Sequence, residues 1–188
     1  MSEKKERKIT PLGEAKWAHV RVPKAPFKDE HGNVKGEPKY MIDVIFSKDD
    51  PKWEAWAKNV MDTIKALPEQ VDKKTGEKLK KQIPIKRELD ENDNPTGRFY
   101  VTFKTGAKFK PGVFDRYGRA IPEEILVGNG SMVHVSYTEA SYSAFGGGLT
   151  FYLNAVQVVD LVEYKSQNAA ALGFSVEDAP TDESEIPF

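Results

Sequence analysis

Between Gly97 and Arg119 the chain reads GRFYVTFKTGAKFKPGVFDRYGR, an interleaving of Lys and Arg with Phe and Tyr. If residues 98–104 form a strand, Phe99, Val101 and Phe103 share one face, and Arg98, Tyr100, Thr102 and Lys104 share the other. The first set reads as core. The second places an aromatic plane between two cations on an outer surface, an arrangement suited to a single nucleic-acid strand. Each base offers a π-face worth ~1–3 kcal/mol on an aromatic ring, and the cations neutralise the phosphates between bases. Lys108, Phe109, Lys110, Arg116, Tyr117 and Arg119 extend the candidate surface along the following loop. Tyr137 and Tyr142 are expected to join it from the next hairpin. The same alternation also serves a strand that only fills a core and solvates its other face, and stacking by itself carries no sequence preference.

Catalytic chemistry finds little support. His19, His31 and His134 are far apart and show no metal-ligand spacing, and His134 alternates within a strand. Cys is absent, which removes disulfides, thiolate zinc and cysteine nucleophiles. The glycines at 146–148 are not followed by the Lys-Ser/Thr of a phosphate-binding loop, and no G-x-S-x-G occurs. Asp90, Glu91 and Asp93 could serve a magnesium-dependent nuclease, although one contiguous acidic run in a turn is a poor source of two-metal geometry. No enzyme, resident metal or cofactor is expected.

These residues must be positioned by a mainly β framework. AKWAHVRV, from Ala15 to Val22, reads as a strand closed by Pro23. The segment from Phe27 to Phe46 reads as a long hairpin turning at Gly32 and Asn33, with Tyr40, Ile42, Val44 and Phe46 alternating on one face of the return. Asp50 and Pro51 form an N-cap and first-turn pair. Trp53, Trp56, Val60, Ile64 and Leu67 then recur at helical spacing until Pro68, a stripe that favours packing on the sheet over stacking on bases. Residues 69–97 read as a polar excursion. Strands are expected at Arg98–Lys104, Ser131–Tyr137 and Leu149–Leu161, with Gly146 to Gly148 linking the last two. Short strands, frequent turns and one helix predict a small barrel rather than a sandwich.

Charge is unevenly distributed. All 28 Lys and Arg lie at or before Lys165 with 24 of the 29 acids, leaving that portion at +4, and the other five acids fall between Glu177 and Glu185. A basic surface with an acidic appendage follows. No apolar run approaches the ~20 residues that span a bilayer, and MSEKKERK lacks the apolar core of a secretory signal. A soluble intracellular protein is expected.

The acidic run ends in DESEIPF, which resembles the tip closing bacterial single-stranded DNA-binding proteins. A terminal Phe can enter an apolar pocket while its carboxylate meets a basic rim and the preceding acids steer the approach. A tail without cations can also lie in the protein's own cationic groove and compete with phosphates. In the body, NPTGRFYVTFKT, KPGVFDRYGRAIP and GGGLTFYLNAVQVVDL resemble, in order, the phage-encoded single-stranded DNA-binding proteins of the short OB-fold type. The resemblance spans Gly97 to Leu161. Phe114 departs from it, standing where the family often carries Val.

The resemblance implies a five-stranded OB-fold barrel with one α-helix and extended loops. Residues 1–13 would be a flexible charged arm, 14–165 the DNA-binding domain, and 166–188 a disordered acidic tail. It further implies a protein that coats single-stranded DNA in phage replication, recombination and repair, in the bacterial cytoplasm, with a possible homodimer. Arg98, Tyr100, Lys104 and the loop Lys108–Arg119 would carry DNA. Asp182, Glu183, Glu185, Ile186, Pro187 and Phe188 would recruit replication and recombination proteins. An RNA-binding OB or cold-shock-like module would use the same surface, and the nuclease reading remains its other rival.

Overall fold

A computed structural model of the chain describes residues 6–164. Among them are ten strands and one α-helix: β1 (Arg7–Ile9), β2 (Gly13–Lys24), β3 (Phe27–Lys28), β4 (Val34–Lys35), β5 (Lys39–Ser47), α1 (Pro51–Ala66), β6 (Ile85–Leu89), β7 (Pro95–Gly106), β8 (Gly112–Asp115), β9 (Met132–Tyr142) and β10 (Gly148–Asp160). The fold is mainly β, as the alternating patterns require. The expected tail, with Asp182, Glu183, Glu185, Ile186, Pro187 and Phe188, lies outside the described residues.

Five long strands pair in succession. β2 runs antiparallel to β5, and β5 to β7 from Lys39 opposite Gly106 to Ser47 opposite Arg98. β7 meets β10 in parallel at Lys104 and Tyr152. β10 then pairs along most of its length with β9, and β9 returns to β2 through Val133–Gly13 and Met132–Glu14. Gly13 is required at that return, because a Cβ there would collide with Val44 and Phe46. β6 adds to the N-terminal half of β7, and β8 adds in parallel to the C-terminal half of β10.

Inward residues follow the period-2 pattern: Tyr40, Ile42, Val44 and Phe46 on β5, Val101 and Phe103 on β7, Leu149, Phe151 and Leu153 on β10. Helix α1 lies against this core. The Asp50 carboxylate accepts the N–H of Lys52 at 3.0 Å, and Leu67 turns extended before Pro68, whose ring disfavours a helical predecessor. Trp53 stacks on Phe46 with centroids 4.4 Å apart, and Trp56 meets Tyr137 and Phe151 edge-on or tilted. The helical stripe is therefore core. Lys81, from the polar excursion, donates from Nζ to the carbonyls of Lys65 and Leu67 and so caps the helix C-terminus.

Three features depart from expectation. Arg7–Ile9, within the presumed arm, forms β1 against β9, with Lys8 paired to Glu139 at 2.8 Å. The open edge of β9 satisfies the backbone while the charged side chains stay near water. The hairpin read over Phe27–Phe46 is instead made by β2 with β5, and β3 with β4 forms a separate small ribbon between them. The excursion contributes β6, whose hairpin with β7 turns at Asp90, where the carboxylate accepts the N–H groups of Asn92 and Asn94. That carboxylate is committed to the turn, and its pKa is held below the usual range by the Asn94 N–H first and then that of Asn92.

Candidate nucleic-acid interface

The outer faces of β7, β10 and β9 make the candidate interface. Opposite the buried Val101 and Phe103, β7 presents Arg98, Tyr100, Thr102 and Lys104 outward. The β10 alternation that buries Leu149, Phe151 and Leu153 turns Thr150, Tyr152 and Asn154 outward. Across the ladder Tyr152 neighbours Lys104 on one side and Thr138 on the other. Tyr152, Thr138, Thr105, Asn154, Arg7 and the loop residue Phe109 line a groove of about 630 Å³. A second groove on the same side is bounded by Lys86, Thr102, Lys104, Tyr142 and Thr150. The Lys86 ammonium sits 5.9 Å from the Tyr100 ring centroid.

This places Tyr100, Lys104, Phe109 and Tyr142 of the expected set on connected surface. Phe109 is 70% exposed although it is a large apolar ring. Lys108 stands beside it in the β7–β8 loop. Arg116, Tyr117 and Arg119 form a separate cluster at the turn after β8, toward the far end of β10. There Asp115 accepts the N–H groups of Tyr117 and Arg119 and the Arg119 guanidinium. Burial works against ionisation of Asp115, but the Arg119 bonds prevail and its pKa is lowered. The Arg119 guanidinium lies 5.1 Å from the exposed Tyr117 ring.

The cations differ in how they are occupied. Arg98 is bound by Glu88 at 2.7 Å and Glu14 at 2.8 Å, Lys110 by Glu123 at 2.6 Å, and Arg116 by Asp160 at 3.9 Å. Among the described residues no carboxylate lies within ion-pair distance of Lys86, Lys104 or Lys108.

Tyr137 is a correction. Its side chain is 1% exposed, inside the aromatic core, because it continues the inward parity of Val133 and Val135 on β9. Burial raises its pKa to about 12, and its hydroxyl oxygen accepts the Trp56 indole N–H at 2.8 Å. A ring so enclosed offers no face on which a base could stack. Conversely, Tyr152, which is not in the expected set, is exposed on the same outer face beside Lys104, and the alternation of LTFYLN carries that signal. Lys86 lies on β6, which a sequence as polar as IKREL does not announce.

No protein-family model and no curated protein matches the chain. The fold, by contrast, is one found in solved structures of phage single-stranded DNA-binding proteins. Over 95% of this chain and 100% of the other, it is similar to gp2.5, a single-stranded DNA-binding protein encoded by bacteriophage T7, with a TM-score of 0.59 and 17% identity. It is also similar to the single-stranded DNA-binding protein from bacteriophage Enc34 in complex with ssDNA, at TM-score 0.56 and 20% identity over 82% of this chain and 86% of that one. A further structure of the Enc34 protein matches 89% of each chain at TM-score 0.56 and 19% identity. No helix among the described residues is long and apolar enough to cross a membrane.

Proposed function

We propose that this is a non-enzymatic, phage-encoded protein that binds single-stranded DNA without sequence preference and coats it during replication, recombination and repair in the host cytoplasm. The observation that carries the proposal is the outward surface holding Tyr100, Lys104, Tyr152 and Tyr142, with exposed Phe109 lining the same groove as Tyr152: aromatic rings interspersed with cations on connected strands. Rings take bases of any identity, and Lys86, Lys104 and Lys108 take the phosphates that pass between. The fold shared with the phage proteins, one of them solved with ssDNA, supports the reading. We read the succession β2–β5–β7–β10–β9 as the five-stranded barrel of an OB fold, with α1, β1, β6 and β8 as additions. Arg116, Tyr117 and Arg119 would extend the track, and Arg98 and Lys110 would contribute through the parts of their side chains left by their partners. The tail from Asp182 to Phe188 would recruit replication and recombination proteins, and the chain would act as a homodimer.

The test is a titration of intrinsic fluorescence with poly-dT and with a duplex of equal length at two salt concentrations. Neutralising about five phosphates of a single strand gives a log–log salt slope near −3.5. Tight, salt-sensitive binding to the single strand with little to the duplex is expected. Preference for a matched RNA would favour the RNA-binding reading, in which the 2′-OH is recognised. No binding to either strand would leave an adaptor role.

A further inference from the structure

Trp17 is out of place for a structural residue. Trp53 is buried and Trp56 is packed in the aromatic core, but Trp17 is 58% exposed on the outer side of β2. Its φ is +51°, a left-handed conformation that a bulky side chain adopts only when its surroundings hold it there. The register of β2 against β5 slips between Lys16 and His19, and this bulge expels the ring. The Asn129 side-chain oxygen accepts the backbone N–H of Trp17 at 2.8 Å, fixing the distortion from a different loop. Strain is thus spent on presenting an indole to solvent.

Of the two grooves that Trp17 lines, the one it shares with Tyr100 is chemically suited to a base. Trp17, Ile45 and Tyr100 supply apolar and aromatic wall, and Lys16 and Arg87 stand at it as cations. The two acids there are already engaged: Asp43 accepts the Thr102 hydroxyl at 2.6 Å, and Glu88 is held by Thr96, Arg98 and Lys16. Tyr100 also belongs to the outward row of β7 described above, so the groove continues that surface toward β2.

We propose that Trp17 is a stacking platform for a base of the bound single strand, extending the track from Tyr100 across β5 to β2. This rests on the single-stranded DNA reading. Glycine is favoured at a φ of +51°, so Trp17→Gly removes the ring while relieving the backbone. The variant is expected to keep or raise its thermal midpoint while losing oligo-dT affinity by about 5- to 150-fold, the range for one lost stacking contact. Trp17→Phe is expected to retain most of the affinity.

The measurement is oligo-dT binding by the full chain and both variants, together with iodide quenching of tryptophan fluorescence, free and at saturation. Iodide should reach Trp17 in the free protein and be excluded in the complex. Wild-type affinity in Trp17→Gly, or unchanged iodide access at saturation, would overturn the platform while leaving single-strand binding intact. Failure of the wild-type chain to bind any single strand would instead overturn the reading beneath it, and the platform with it.

Discussion

The Trp56 indole donates its N–H to the hydroxyl oxygen of Tyr137 at 2.8 Å, joining α1 to β9 through the middle of the aromatic core. Phe103 and Phe151 each lie 5.2 Å from the same Tyr137 ring, centroid to centroid. Tyr137→Phe keeps those ring contacts and strands the indole N–H, so it is expected to cost ~1–3 kcal/mol of stability with oligo-dT affinity unchanged. Urea denaturation and a binding titration check both halves. In the wild type, burial raises the phenol pKa to about 12 from 10.0. A raised folded-state value favours the neutral form, so this contribution is complete below pH 10 and fades between 10 and 12, by roughly 3 kcal/mol.

Arg98 is expected to matter more to stability than to DNA. It binds the buried Glu88 through Nε and Glu14 through Nη1. Burial opposes ionisation of Glu88, yet the bonds from Thr96 and Arg98 and the nearby charges of Arg98 and Lys16 outweigh it, leaving the pKa below the ordinary 4.5. A depressed carboxylate stabilises the fold above its ordinary pKa, and that stability is lost as pH falls through the folded value. Arg98→Ala should cost ~2 kcal/mol at pH 7, allowing for the guanidinium's partial exposure. The deficit should shrink on acidification, because an unpaired Glu88 is relieved by protonation. Denaturant midpoints for both proteins at pH 7 and pH 4 decide it.

Much of this was legible in the residues. Phe99, Val101 and Phe103 announce the inward face of β7, and Asp50, Pro51 and Pro68 bracket the helix, because these are local rules of parity and capping. Tyr137 was misassigned for its chemistry when its parity with Val133 and Val135 already placed it inside. β1 was not legible: RKI has no strand pattern, and only the open edge of β9 makes it one. Nor was the exposure of Trp17, which depends on a register slip that two strands create together. The outward surface is readable where one strand encodes it, as at Tyr100 and Lys104, and hidden where distant segments meet, as where Lys86 comes to lie over the Tyr100 ring.

Tyr152 and Lys104 are register partners on parallel strands, and their variants should fail differently. Tyr152→Ala removes a stacking surface and is expected to weaken oligo-dT binding by ~1–3 kcal/mol at every salt concentration, leaving the salt slope unchanged. Lys104→Ala removes one phosphate contact and should flatten the log–log slope by about 0.7, with its deficit fading as salt rises. Parallel salt titrations of the two variants distinguish them. Identical salt slopes in both would mean that Lys104 does not meet a phosphate.

Deleting residues 177–188 removes five acids and no cations, so its effect on DNA binding should be electrostatic and its effect on partners should not. If the segment competes with phosphates for the cationic groove, the truncated chain will bind oligo-dT several-fold more tightly at low salt. The gain will disappear as the screening length contracts from about 30 Å at 0.01 M to about 10 Å at 0.1 M. If Ile186, Pro187 and Phe188 dock in a partner's apolar pocket, the truncation will also abolish capture of replication proteins, and Phe188→Ala alone will reproduce that loss without altering DNA affinity. Equal affinity of the full and truncated chains at 0.01 M salt would remove the competition and leave recruitment standing. Capture that survives Phe188→Ala would do the reverse, since a tail acting only through its charge has no need of its last ring.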